Sequence, residues 1–122
     1  MPLLRLHHAE ITIPRDAEDA GREFYCGLLG LREIPKPDSL RQRGGFWVRL
    51  GDIDLHVGVE DGVDRAATKV HLAYEVDDVP AWRQRVKGAG LKPIDSIPIP
   101  GYERFEFRDP FGNRIEMIQR VV

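Results

Sequence analysis

The sequence predicts an α+β fold built from two tandem βαβββ modules, with the helices on the outside. Three observations carry this. The order strand, helix, three strands is written twice along the chain. Apolar residues alternate within the strand segments and recur at helical spacing between them. A histidine marks the first strand of each half, His8 and His71, and a ligand-type residue marks each last strand, His56 and Glu116.

The elements follow in order. Residues 5–13 (RLHHAEITI) form a strand, with Ala9, Ile11 and Ile13 on one face and His8, Glu10 and Thr12 on the other. By the same alternation His7 belongs to the apolar side, as a structural or surface residue. Pro14 ends the strand and Asp16 is placed to cap a helix, with Glu18 and Asp19 in its first turn. Ala17, Ala20, Phe24 and Leu28 recur at helical spacing, and Gly30 stops the helix. Residues 31–34 form a short strand and 35–43 a loop carrying Arg41 and Arg43. Residues 45–50 and 53–59 are strands around a tight Gly51-Asp52 turn; Asp54, His56 and Gly58 share one face of the second.

Residues 61–68 read as a linker between module one (1–60) and module two (69–122). In 69–76, Val70, Leu72, Tyr74 and Val76 oppose His71, Ala73 and Glu75. Asp77, Asp78 and Pro80 open a helix, along which Val79, Trp82, Val86 and Ala89 recur. A short strand (91–94), a proline-rich loop (95–102) and a hairpin (103–108 and 114–121) around Asp109-Pro110-Phe111-Gly112-Asn113 complete the half.

Composition narrows the function. A chain of 122 residues is one domain's length, large enough for a core. A net charge of −2 offers nothing to nucleic acid or an anionic membrane. The apolar runs are too short for a transmembrane helix, and the N-terminus does not read as a signal peptide. Cys26, the single cysteine, excludes an intrachain disulfide, so the expectation is a cytoplasmic protein.

The aliphatic face of each strand is the one a helix covers. The opposite faces, if the two sheets pair, enclose a cup into which four strands aim His8, His56, His71 and Glu116. Imidazole and carboxylate together suit a divalent first-row ion: Zn, Ni, Mn, Fe or Co. The alternative is a polar, water-filled cup without metal. Trp47, Phe105 and Phe107 are candidate lining of a substrate pocket, or else core. Arg104, Arg41 and Arg43 can meet an anionic substrate, or be solvated loop residues. Glu10 and Glu75, on the histidine side, can accept from imidazole N–H groups or from water.

The segments His8-Ala9-Glu10-Ile11-Thr12-Ile13, Phe24-Tyr25, Leu29-Gly30-Leu31, His71-Leu72-Ala73-Tyr74-Glu75-Val76 and Asp109-Pro110-Phe111-Gly112-Asn113-Arg114-Ile115-Glu116 resemble the vicinal oxygen chelate superfamily over essentially the whole chain. That superfamily includes glyoxalase I, bleomycin-resistance proteins, fosfomycin-resistance enzymes and extradiol dioxygenases. The resemblance implies paired βαβββ modules in a cupped, barrel-like mixed sheet. It implies a divalent metal on His8, His56, His71 and Glu116, with Glu116 and His56 as candidate bases. Glyoxalase I enzymes often have a carboxylate where this chain has His56, which leaves open whether His56 binds metal. The implied activity is a metal-dependent isomerase or lyase acting on a small molecule, in a homodimer. The alternatives are a resistance protein that sequesters its ligand without chemistry and, ranked lower, a ring-cleaving dioxygenase.

Overall fold

The computed structural model describes residues 1–121. Val122, the last residue of the expected second module, lies outside them. The chain divides into two compact units, Met1–Val63 and Asp64–Val122. Each holds one four-stranded mixed sheet with its helix against one face, the architecture of tandem βαβββ modules.

In the first unit β1 (His8–Ile13) runs parallel to β4 (Ile53–Val59), and β4, β3 (Phe46–Leu50) and β2 (Arg32–Ile34) continue antiparallel, in the order β1-β4-β3-β2. The core is Ile13, Phe24, Tyr25, Leu31, Phe46, Val48, Leu55 and Val57. Two glycines allow the close packing. At Gly21 a Cβ would lie 2.9 Å from the Phe46 ring, so the helix reaches the sheet only without a side chain there. Gly45 has φ +78°, and its Cβ would stand 2.1 Å from the Val57 carbonyl oxygen.

The first helix departs from expectation. Asp16 does not cap it: φ is +65° there, and Ala17 holds the cap position without a side-chain hydrogen bond. One α-helical turn, α1 (Glu18–Arg22), passes into a π-helix over Glu23–Leu28. The wider turn lets the neighbouring rings of Phe24 and Tyr25 both bury. Gly21 faces the core and Ala20 is exposed, reversing the expected pattern by one residue.

The second unit repeats the order: β5 (His71–Glu75) parallel to β8 (Arg114–Arg120), then β7 (Tyr102–Arg108) and β6 (Ile94–Asp95), as β5-β8-β7-β6. Its helix α2 (Val79–Gly88) begins as the sequence reads: the Asp78 side chain accepts from the Ala81 amide, and Pro80 sits in the first turn. Val79, Val86, Phe105, Phe107, Ile115 and Met117 form this unit's core. Among the described residues no helix is long and apolar enough to cross a membrane.

Candidate functional site

In the first unit the register sets His56 beside Glu10 on β1 and beside Trp47 on β3. His8 lies two residues along the same face. The rings stack. Trp47 lies on His56 with centroids 3.7 Å apart and planes 2° from parallel. His8 covers the other face of His56 at 4.1 Å and 20°. Burial, and then the neighbouring His8, push the His56 imidazole below its ordinary pKa. Beside the stack, Arg49 holds Asp54 in a two-pronged ion pair (2.6 and 3.1 Å), which depresses the Asp54 carboxyl.

The stacked rings, Glu10 and Asp54 line a cavity of about 540 Å³, together with Lys36, Arg43 and His7. His7 is a correction to the sequence reading. The strand begins at His8, so alternation does not extend back to His7, and the His7 ring turns into the cavity with Nδ1 3.0 Å from Nδ1 of His8. One of these nitrogens donates and the other accepts. His8 is thereby oriented through Nδ1, with Nε2 left over. Arg41 is paired with Asp38 on its own helical turn, whereas Arg43 lines the cavity.

In the second unit Glu116 lies opposite Glu106 on β7 and Ala73 on β5, and His71 lies opposite Arg114. Glu116 is buried, at 5% exposure. His71 Nε2 is 3.1 Å from Glu116 Oε1, and Arg104 reaches the same oxygen at 3.3 Å. Arg104 also donates to the Ile97 carbonyl from Nε and Nη2. Arg114 grips Glu106 with paired hydrogen bonds that hold this carboxyl below its usual range.

Phe105 and Phe107, candidates for a pocket beside Trp47 or else for the core, pair with Met117 and Ile115 and are 0% exposed. Successive side chains alternate, so both lie on the face opposite Glu116 and Arg104. They fill the helix-covered core, as Phe46 and Val48 do in the first unit. The residue standing where Trp47 stands is Glu106.

His71 provides the test of fit for a metal. The Lys69 carbonyl, 3.0 Å from Nδ1, only accepts, so Nδ1 carries a proton. In the neutral ring Nε2 is then a bare lone pair facing a carboxylate oxygen. Two such donors 3.1 Å apart match neighbouring ligands each about 2 Å from one ion. The donor set fits a divalent cation. Among the described residues no group of three or more His, Cys, Asp or Glu is gathered as a metal site; the expected ligands stand as two pairs, one in each unit.

The sequence model of the Glyoxalase/Bleomycin resistance protein/Dioxygenase superfamily matches residues 5–117. The chain belongs to that superfamily. A glyoxalase family protein from Bacillus anthracis is 34% identical, with a TM-score of 0.90 over 99% of this chain and 98% of that one. Two further solved structures share the fold at lower identity. The fosfomycin resistance protein FosX from Listeria monocytogenes, complexed with Mn(II) and sulfate, is 14% identical (TM-score 0.81, 99% and 94% covered). Lactoylglutathione lyase from Agrobacterium tumefaciens is 19% identical (TM-score 0.73, 98% and 96% covered). No curated protein sequence matches the chain.

Proposed function

We propose that the chain is a metal-dependent isomerase or lyase of the glyoxalase type, acting on a small molecule that presents two adjacent oxygens. His8, His71 and Glu116 hold one divalent ion (Zn, Ni, Mn, Fe or Co), with His56 beside His8, the ligands coming from one chain or from both members of a homodimer. When bound, such an ion stabilises negative charge developing on the substrate oxygens. The protein's own groups do the rest. Lys69 and His7 orient the two imidazoles through their Nδ1 atoms. Arg104 fixes Glu116 through Oε1, leaving Oε2 to take and return a proton. The single cysteine fits a cytoplasmic setting.

The observation that carries this reading is the convergence of the His71 Nε2 lone pair on the buried Glu116 carboxylate. Support comes from Mn(II) in FosX and the lyase activity named for the Agrobacterium relative. Metal analysis of the purified protein tests it. We expect a stoichiometric divalent ion, lost on stripping with chelator and in His71→Ala, with turnover of a dicarbonyl or epimerase substrate lost in parallel. A protein with normal turnover after complete metal removal would sink the proposal.

One observation favours a second reading, a ligand-sequestering protein of the bleomycin-resistance type. Arg104 reaches Glu116 Oε1 at 3.3 Å, so the buried carboxylate has a cation beside it without a metal ion. Metal-free protein that binds an aromatic cation tightly and turns over nothing would favour it.

A further inference from the structure

The ring stack divides the first unit's two histidines between different tasks. A ligand imidazole places its ion in the plane of the ring, about 2 Å from the nitrogen. Rings stacked at 4.1 Å with planes 20° apart share no such point nearby: their planes meet only on the order of 10 Å away, against the roughly 2 Å that ligation needs. One ring must therefore leave the stack for both to bind one ion. His56 is held on its other face by Trp47, at 3.7 Å and 2°, and leaving would forfeit both ring contacts. His8 is instead steadied at its edge, through Nδ1.

We infer that His56 stays outside the metal's coordination shell and acts as a positioning residue, a flat plate carried by Trp47 that fixes the ring of the ligand His8. This rests on the metal-dependent reading above. What the plate supplies is shape, so a carbocyclic ring can replace it, whereas no ring without a nitrogen can replace a ligand.

The test is calorimetric titration of chelator-stripped full-length protein with Zn(II) or Mn(II). In His56→Phe we expect affinity within about threefold of wild type, and in His56→Ala and Trp47→Ala a loss of about tenfold, the scale of removing a group that orients a ligand. His8→Ala loses uptake at micromolar ion. The stack is also read without metal. In a Trp82→Phe background Trp47 is the one remaining indole, and its emission changes in His56→Ala and is restored towards wild type in His56→Phe. His56→Phe as weak as His8→Ala would overturn the inference and leave the metal reading standing. Wild-type protein that takes up no ion would overturn both.

Discussion

Phe105 shows how one residue's place decides what its loss would do. Alternation along 103–108 leaves two assignments for each side chain, and the sequence offers nothing inside the strand to choose between them. The choice lies in the turn. The first hairpin closes with Leu50 paired to Ile53, but the second closes with Arg108 paired to Arg114 around a longer loop. Superposing the two hairpins by eye therefore slips the register by one residue, which exchanges faces. With the ring fully buried, Phe105→Ala is expected to cost about 3–5 kcal/mol in urea unfolding. Metal uptake by the folded fraction should remain; a pocket-lining ring would show the opposite pattern. His7 was hidden for a related reason, because alternation holds only inside a strand and His7 precedes one. The signal that finds it is the His-His doublet at a strand's entrance.

At the scale of elements, α2 and the strands other than β6 were legible; β6, expected over 91–94, is only Ile94–Asp95, and the first helix was not legible. The alternation of Val70 to Val76 and the Asp78-Val79-Pro80 start state a strand and a helix outright. The start of α1 contains an aspartate that reads as a cap but adopts positive φ, and its second half widens to bury two adjacent rings. Neither has a signature in periodicity. The β7–β8 pair carries its own electrostatic prediction. The Arg114 guanidinium holds the Glu106 carboxyl below its unfolded value, near pH 4.3 for an ordinary glutamate. The folded state thus binds fewer protons, so the pair's stabilisation is present above that pH and fades as pH falls through the depressed folded value. Glu106→Gln should flatten this part of the acid unfolding curve while wild type loses stability. Equal slopes for the two proteins would show that the pair contributes nothing.

For the whole molecule, duplication was the most readable feature, because His8 and His71 open the two halves and His56 and Glu116 close them. Within each half the marked residues do meet, His8 on His56 and His71 at Glu116. Whether the proposed ion draws its ligands from one chain or two was not legible, because no residue pattern encodes chain pairing. Complementation reads it directly. If the ligands of one ion come from two chains, refolding a mixture of His8→Ala with Glu116→Ala should restore intact sites in the heterodimers, where each variant alone has none. If one chain supplies them all, the mixture should bind no more ion than its parts.

At matching positions of the two sheets stand Trp47 and Glu106, an indole over one imidazole and a carboxylate clasped by arginine. Copies of one scaffold thus hold equivalent positions by unlike forces. Ring stacking is nearly indifferent to dissolved salt, whereas a cluster of opposed charges feels it wherever water reaches. Raising ionic strength should accordingly loosen ion pairs where water reaches them, Arg49–Asp54 in the first unit as well as Arg114–Glu106 in the second, while the indole stays seated on its imidazole.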